Sequence, residues 1–317
     1  MSDWRPSASL EQLRLRAHLL RQIRAFFHAR GVWEVDTPAL SPAATPDPHI
    51  HSFRVSAAGE KPRYLHSSPE FPMKRLLAAG SGSIYQLCKV FRAGEAGQRH
   101  NPEFSLLEWY RVGFDHHALM KEVDQLIRTL ASENLPFGET QYFRYEEALQ
   151  RFAGLKRLEV DVAALRDCAE GHGLEVAALA EDRDGWLDLL MSHVVEPALP
   201  RDCPVFIYDY PASQAALAQI RGGLAERFEL YINGMELANG FHELGDAAEQ
   251  RRRFENENRR RAEMDLPAMP LDESLLAALE AGLPDCAGVA LGIDRLLMLL
   301  AGEDDISTVL AFDSDRA

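Results

Sequence analysis

The sequence predicts an α+β fold in which mainly antiparallel strands are separated by helices. The strongest observation is Asn233-Gly234, which stands between two runs of alternating polarity. Such a pair favours the two-residue type I′ turn of a β-hairpin. The second observation is a pair of strand-like segments, "SIYQLCKVFRAGE" and "PEFSLLEWYRVG", joined by a polar loop. The third is a helical spacing of apolar residues near the start of the chain.

The first predicted helix lies in "SLEQLRLRAHLLRQIRAFFHARG". Ser9 and Gln12 occupy capping-box positions and Gly31 marks the end, which gives a helix of about six turns. The segment "VWEVDTPAL" follows as a short strand that ends at Pro38. Apolar residues recur every three or four positions along the helix and predict one buried face: Leu13, Ala17, Leu20, Ile23 and Phe27.

The later elements are predicted from the same kinds of pattern. The segment "SSPEFPMKRLLAAGSGS" predicts a capped turn and a short helix, and residues 115–200 predict mainly helices and connectors. After the hairpin, "AAEQRRRFENENRRRAEMD" predicts a charged helix. Its arginines at 251–253 and 259–261 indicate either a solvated face or a basic patch for an acidic protein partner. The segment "AGVALGIDRLLMLLAG" predicts a strand that runs into a buried helix.

Composition is typical of a cytoplasmic globular protein. The 317 residues suffice for one large core or two smaller domains, and 46% of them are hydrophobic. No stretch approaches the ~20 apolar residues of a membrane span, and the N-terminus has no signal pattern. The four cysteines are far apart without C-x-x-C spacing, as expected of reduced thiols. The net charge of −15 argues against a main function of binding a long nucleic acid and is compatible with binding a cationic substrate or a metal ion.

The predicted hairpin brings two acidic side chains together. Glu229 and Glu236 are diagonal neighbours on one face, with Cβ atoms about 7 Å apart or less. Two such carboxylates repel each other unless a cation lies between them or the face is solvated, and the hairpin alone leaves both possibilities open. Pairing outward from the turn predicts four opposed pairs: Ile232 and Met235, Tyr231 and Glu236, Leu230 and Leu237, and Glu229 and Ala238.

Three further segments combine residue types that carry chemistry. The segment "GVALGIDR" has Gly288 and Gly292 where another group can approach the backbone closely. The segment "SSPE" contributes Ser68 and Glu70. The segment "FRAGEAGQRHNPEFSLLEWY" contributes Arg92, Glu95, His100, Asn101, Glu103, Phe104, Glu108 and Tyr110.

These segments resemble the signature motifs of class II aminoacyl-tRNA synthetases, in the version used by lysyl-tRNA synthetases. "GVWEVDTPAL" resembles the first motif, "FRAGE…RHNPEF…EWY" the second and "GVALGIDR" the third, while "ELANGFHEL" resembles the lysine-type substrate segment. The matches follow the family's order from about residue 9 to 312. The resemblance implies a mainly antiparallel six-stranded sheet flanked by helices, in a single catalytic domain over residues 1–317.

The resemblance also implies a reaction and its partners. Lysyl-tRNA synthetases carry an N-terminal anticodon-binding barrel, and the motifs here begin too early to leave room for one. A stand-alone domain of this kind is similar to the ligases that activate (R)-β-lysine with ATP and join it to a lysine side chain of elongation factor P. The expected partners are therefore (R)-β-lysine, or lysine, and elongation factor P, whereas tRNA is not expected. The first helix and the strand ending at Pro38 form a two-fold interface in the family, so a homodimer is expected.

By resemblance, one group of residues serves ATP and Mg²⁺. Glu229 and Glu236 would hold Mg²⁺ between the phosphates. Arg92 would bridge the α-phosphate and the substrate carboxylate, and Arg295 would meet the far phosphate and the adenine. Arg92, Glu236 and Arg295 are the expected catalytic residues. The expected ATP contacts are Arg92, Glu95, His100, Asn101, Phe104, Glu236, Leu237, Gly292 and Arg295, with Phe104 stacked on the adenine.

A second group would bind the amino acid. A substrate with two ammonium groups needs anionic partners, because desolvating an unpaired cation costs several kcal/mol. The resemblance puts Glu70 at the amino group nearer the carboxylate, and Glu108, Tyr110 and Glu243 around the distal ammonium. The full expected set is Ser68, Glu70, Glu108, Tyr110, Asn239, Phe241, Glu243 and Ala290.

The chain departs from the family pattern at two positions. The second motif usually runs Arg-x-Glu, whereas Arg92 is followed by Ala93, Gly94 and Glu95. The adenine-contacting glutamate is therefore displaced by one residue or absent. The third motif commonly has glycine where this chain has Ala290, and we hypothesise that the added methyl group reshapes the pocket floor to favour a β-amino acid over α-lysine.

Three other interpretations stand beside the leading one. A truncated lysyl-tRNA synthetase would act on tRNA or another acceptor, and an amide synthetase of related fold would use ammonia. An inactive regulatory paralogue would have lost the phosphate-binding arginines or metal-binding acids, which this chain retains. Outside the motifs, the pairs His116-His117 and His49-x-His51 show no recognisable third metal ligand in the sequence.

Overall fold

The helices and strands follow the predicted order of segments. The computed structural model describes residues 4–131, 137–174, 179 and 181–317. The helices are α1 (Leu10–His28), α2 (Glu70–Ala78), α3 (His116–Ala131), α4 (Tyr145–Ala148), α5 (Val162–Gly171), α6 (Arg183–Leu190), α7 (Glu196–Ala198), α8 (Ala247–Glu263), α9 (Glu273–Gly282) and α10 (Ile293–Ala301). The strands are β1 (Trp33–Glu34), β2 (Leu40–Ser41), β3 (Arg54–Val55), β4 (Arg63–Leu65), β5 (Ile84–Phe91), β6 (Glu103–Val112), β7 (Gln141–Arg144), β8 (Val205–Pro211), β9 (Ile220–Arg221), β10 (Leu224–Ile232), β11 (Met235–His242) and β12 (Cys286–Gly292).

One large sheet forms the frame of the molecule. Its centre is antiparallel, in the order β5-β6-β12-β11-β10-β8. At the edges β1 pairs in parallel with β5, β7 pairs in parallel with β8, and β9 pairs with β10. The α+β class is confirmed. The large sheet nevertheless has nine strands in the described residues rather than six, because three short strands extend the antiparallel centre.

The first helix differs from its prediction in detail. Ser9 caps it, since its hydroxyl accepts the backbone N–H of Gln12 at 3.2 Å, but the Gln12 amide donates to Glu303 at 3.2 Å instead of returning to the cap. The helix ends at His28, before the turn at Gly31. Leu13 is only half-buried and Ala17 is exposed, since the second half of the helix supplies the buried face: Leu19, Ile23, Phe26 and Phe27.

The hairpin has the predicted turn but a different register. Asn233 and Gly234 have positive φ, at 53° and 68°, as a type I′ turn requires. The first two pairs are as predicted, but Leu230 then lies opposite Ala238 and Glu229 opposite Asn239. Leu237 is the extra residue of a β-bulge, and it packs in the core together with Ala238.

The arginines of the charged helix α8 are mostly paired with acids near the surface, but one of them is buried. Arg251, Arg252 and Arg253 pair with Glu273 or Glu249. Arg261, by contrast, is buried and donates to the backbone carbonyls of Pro267 at 2.8 Å and Asp47 at 3.0 Å. The prediction of a solvated face or basic patch is therefore wrong for this arginine, which anchors the segment at Asp47 to the helix.

Residues 115–200 are mainly helical, as predicted, where the structure describes them. They also supply β7, which was not predicted, and they build a second hydrophobic cluster against β8 and β10. Part of this predicted region, residues 132–136, 175–178 and 180, lies outside the described residues. Within the described chain, no helix combines the length and apolar character needed to cross a bilayer.

Candidate active site

A row of polar side chains crosses one face of the sheet. The register sets Gln86, Glu108, Ala290, Asn239 and Glu229 side by side on β5, β6, β12, β11 and β10. Because side chains alternate along a strand, the opposite face of these strands packs into the main hydrophobic core. Residues far apart in the sequence are thereby assembled into one crevice.

One end of the crevice is acidic and buried. Glu108 is 2% exposed, and its two oxygens accept the hydroxyl groups of Ser68 and Tyr110, each at 2.6 Å. Burial, reinforced by repulsion from Glu70, raises the pKa of Glu108 to about 8. The Ser68 hydroxyl also accepts the backbone N–H of Glu70 at 3.0 Å, which fixes the turn into α2.

A buried lysine that the sequence analysis did not single out joins two of the acids. Lys74 is 2% exposed, and its Nζ lies 2.6 Å from Glu70 Oε1 and 2.6 Å from Glu243 Oε2. The two carboxylates keep the pKa of Lys74 raised in spite of its burial. Burial raises the pKa of Glu243 to about 7 even with Lys74 beside it. The i, i+4 spacing of Glu70 and Lys74 was visible in the sequence, but their meeting with Glu243 required the fold.

Gly288 is needed for close packing at this end. A Cβ placed on Gly288 would overlap the Tyr110 ring and the Glu243 carboxylate. Gly288 pairs with Tyr110 on one side and with Phe241 on the other. Gly288, on the strand between them, has no side chain. The predicted acids and Tyr110 can therefore lie close together, as expected.

Arginine side chains mark the other end of the crevice. The Arg92 guanidinium lies 5.0 Å from the centre of the Phe104 ring, and its Nη1 is 3.6 Å from Glu95 Oε1. The Nε atom of Arg92 is buried and has no hydrogen-bond partner among the described residues. An unpaired buried guanidinium donor is costly, so this atom suits an anionic ligand.

Arg295 joins the loop between β5 and β6 to the hairpin. Its Nη1 donates to the backbone carbonyl of Glu236 at 2.9 Å, and its Nη2 lies 2.7 Å from His100 Nε2. Arg295 also lies 3.7 Å from the Glu236 carboxylate. Desolvation in the crevice and repulsion from Glu229 raise the pKa of Glu236 to about 7. The neighbouring Asp294 is occupied elsewhere, by Arg16.

Three predicted ATP contacts offer no free side chain to the crevice. Asn101 is buried, with its amide donating to the Glu103 carbonyl at 2.6 Å and its oxygen accepting the N–H of Ser314 at 3.1 Å. The Leu237 side chain packs in the main hydrophobic core and not in the crevice. Gly292 has no side chain, and the Arg295 side chain lies 3.8 Å from where its Cβ would be.

Glu229 is more fully bonded than the sequence indicated. It accepts from Tyr210 at 2.7 Å and Asn239 at 3.0 Å, and also from Tyr231 and Arg227. The side-chain oxygen of Asn239 is buried without a hydrogen-bond partner in the described chain, so an acceptor faces the crevice. Arg227 was missed by the sequence analysis, although its position two residues before Glu229 puts both on one strand face.

Comparisons with known proteins identify the family of the chain. The family model described as tRNA synthetases class II (D, K and N) matches residues 1–316. Proteins named elongation factor P–(R)-β-lysine ligase are similar over the full chain. The one from Vibrio cholerae is 53% identical over 100% of this chain and 99% of its own length. Those from Pectobacterium carotovorum and Edwardsiella ictaluri are 49% and 50% identical, with the same coverage. The chain therefore belongs to the class II tRNA-synthetase family and is an ATP-dependent ligase.

Proposed function

We propose that the protein activates (R)-β-lysine as an adenylate and transfers it to a lysine side chain of elongation factor P. The names of the relatives supply this substrate and this acceptor. The observation that carries the proposal is the charge separation within one crevice, which has a buried acidic end around Glu108 and an arginine end around Arg92. An amino acid with two ammonium groups and one carboxylate has the complementary distribution of charge.

The acidic end fits a doubly cationic guest. Glu70, Glu108 and Glu243 provide three carboxyl groups, whereas Lys74 provides one resident cation. We assign Glu70 to the ammonium nearer the substrate carboxylate, and Glu108 and Glu243, with Tyr110, to the distal ammonium. The remaining wall of the pocket is assigned to Ser68, Asn239, Phe241 and Ala290.

The arginine end fits a nucleotide. Arg92 is assigned to the α-phosphate and the substrate carboxylate, because its unpaired Nε needs an anionic acceptor. Arg295 and His100 are assigned to the far phosphate, and Phe104 to the adenine face. Glu95 lies close to Arg92, and we assign it to orienting the guanidinium and not to contacting the adenine. The side chain of Asn101 is assigned to holding the loop, since both ends of its amide are already bonded.

Glu229 and Glu236 have the donor chemistry that Mg²⁺ needs. Mg²⁺ prefers oxygen ligands and is commonly held by one or two carboxylates together with substrate phosphates. Glu236 is the more available of the two, because its side chain is 41% exposed while Glu229 is bonded by neighbouring side chains. When bound, the ion would neutralise phosphate charge. Arg295, 3.7 Å from the Glu236 carboxylate, would hold that carboxylate in place.

The proposed reaction has two steps. A carboxylate oxygen of the amino acid attacks the α-phosphorus, the bond to pyrophosphate breaks, and pyrophosphate leaves. The neutral amine of the acceptor lysine then attacks the acyl carbon, AMP leaves, and the amine loses its proton. In both steps the residues of the chain position the reacting groups and stabilise negative charge, which is the main contribution a protein makes to this class of reaction.

The test combines two assays. ATP–pyrophosphate exchange is measured with α-lysine and with (R)-β-lysine, followed by mass measurement of elongation factor P and of tRNA after incubation. We expect exchange with β-lysine and a mass increase of the factor only. The Glu236→Gln variant serves as the inactive control. Labelled tRNA beside an unmodified factor would instead support the alternative of a lysyl-tRNA synthetase, which the net charge of −15 disfavours.

We further propose that the chain acts as a homodimer of single catalytic domains in the cytoplasm. Trp33 on β1 is 66% exposed and Leu10 on α1 is 64% exposed, so apolar surface lies along the elements expected to form the interface. A cavity of about 570 Å³ beside Trp33 is lined by residues of both elements. Light scattering that gives the mass of a monomer at micromolar concentration would contradict the dimer. Free thiols at all four cysteines suit a reducing compartment.

A further inference from the structure

A second cluster of ionisable side chains lies behind the crevice, under the first turn of α3. His116, Glu226 and His242 are 4%, 8% and 3% exposed. One candidate ligand atom of each residue lies within 4.8 Å of the other two. No third ligand for His116 is recognisable in the sequence, because the other two residues of this set lie on β10 and β11.

Both histidines of this cluster have a ring nitrogen bound to a carboxylate outside the cluster. His116 Nε2 lies 3.1 Å from Asp209 Oδ1, and His242 Nε2 lies 2.7 Å from Asp285 Oδ1. The other nitrogen of His242, Nδ1, meets Glu226. The other nitrogen of His116, Nδ1, is buried and has no hydrogen-bond partner in the described residues. Metal-binding histidines commonly have one ring nitrogen bonded to a carboxylate while the other binds the ion, and the unpaired Nδ1 of His116 is available for that role. At His242 an ion would replace the contact between Nδ1 and Glu226.

The neighbouring cations do not complete the cluster. Arg144 Nε lies 3.5 Å from Asp209 Oδ2 and Arg221 Nε lies 3.4 Å from Glu226 Oε1, but both arginines are mostly exposed. Neither supplies a partner for the unpaired nitrogen of His116. A purely hydrogen-bonded network among the described residues would therefore leave a buried ring nitrogen unsatisfied, which is unfavourable.

We propose that His116, Glu226 and His242 form a binding site for a divalent transition-metal ion of the zinc type. Two imidazoles and one carboxylate are a common zinc ligand set, whereas Mg²⁺ prefers oxygen ligands alone. Ligand atoms around zinc stand about 3.3 Å apart, given bond lengths of about 2.0–2.2 Å. The candidate atoms lie within 4.8 Å of one another, so ion binding at that spacing would require the three side chains to adjust. The ion joins the start of α3 to the strands that carry Arg227 and Glu243 on the crevice side.

Co²⁺ titration of the full-length protein, prepared without a histidine tag and stripped with a chelator, tests the proposal. Excess Mg²⁺ is present throughout to occupy sites with oxygen ligands only. We expect one Co²⁺ per chain, with the visible absorption of a nitrogen-ligated ion, displacement by Zn²⁺ and a rise in Tm. His116→Asn and Glu226→Gln are expected to abolish this binding. Asp285→Asn, which removes only the outer carboxylate, is expected to weaken it roughly 10–100-fold.

Matched histidine variants separate this site from its neighbours. His193→Asn, at an exposed histidine, is the control and should bind Co²⁺ like the wild type. His117 and Asp209 form a second, more exposed set with His116. Loss of binding in His117→Asn together with full binding in Glu226→Gln would overturn the proposal, and so would a wild-type chain that takes up no Co²⁺. If the ligand variants fail to fold, the wild-type titration and Asp285→Asn decide, since that carboxylate is largely exposed.

Discussion

Replacing Lys74 with methionine tests whether a buried cation holds the acidic end of the crevice together. Methionine keeps the unbranched apolar stem but removes the ammonium that lies 2.6 Å from both Glu70 and Glu243. Removing one partner from a buried ion pair costs about 3–5 kcal/mol, because the remaining charges are left unpaired. We expect a loss of that size in the free energy of unfolding at about pH 8.5.

The sign of the pH dependence distinguishes this explanation from a simple packing defect. The pKa of Glu243 is raised to about 7 with Lys74 present, and in the variant it rises further. A carboxyl group whose pKa is raised on folding contributes instability that grows as pH rises from the unfolded value toward the folded one. At about pH 5.5 Glu243 is protonated in both proteins, so the cost of the substitution should fall to about half or less.

Urea unfolding followed by circular dichroism at the two pH values measures this difference. Arg75→Met, at the exposed neighbour on α2, is the control and should change stability by no more than about 0.5 kcal/mol. An equal loss for Lys74→Met at both pH values would show that lost packing, and not the unpaired carboxylates, accounts for the cost. No loss at either pH would refute the ion-pair reasoning altogether.

Three further outcomes follow from the same geometry. Gly288→Ala should lower kcat/KM for the amino acid by about 100-fold or more in pyrophosphate exchange, because the new Cβ overlaps Tyr110 and Glu243. Unchanged kinetics would mean that the amino acid binds elsewhere. Ala290→Gly should shift preference from β-lysine toward α-lysine by roughly tenfold, the effect of about one methylene, and equal use of both amino acids before and after the change would contradict this. Amino-acid binding measured by calorimetry should strengthen from about pH 6 to about pH 8. Over this range Glu108 and Glu243, with pKa values of about 8 and 7, lose the protons that compete with the ammonium groups of the substrate. A flat pH profile would count against the assignment of these two residues.

The sequence predicted local structural features better than it predicted contacts between elements that are distant in the chain. The type I′ turn at Asn233-Gly234 needs positive φ at both residues, a local requirement, and the prediction is confirmed. The α+β class is confirmed as well, since alternation and helical periodicity are also local. The ion pair between Lys74 and Glu243 could not be predicted, because it depends on how α2 packs against the end of β11.

The same limit applies to the residues behind the sheet. His116 starts α3, whereas Glu226 and His242 lie on strands more than 100 residues later in the chain. Only the register of β10 with β11 brings those two residues together, and only the packing of α3 brings His116 to them. A search of neighbouring positions in the sequence could not find this set, since all ligand-spacing signals are short-range.

The bulge at Leu237 explains how one strand serves both ends of the crevice. Glu243 lies seven positions after Glu236, an odd offset, so a regular strand would turn the two side chains to opposite faces of the sheet. The extra residue shifts the alternation of side chains by one position. Leu237 and Ala238 therefore both enter the core, and Asn239 lies opposite Glu229. Glu236 then stands beside Arg295 at the nucleotide end while Glu243 reaches Lys74 at the amino-acid end. The register that the sequence failed to predict is thus the one that lets a single strand contribute carboxylates to both halves of the proposed reaction.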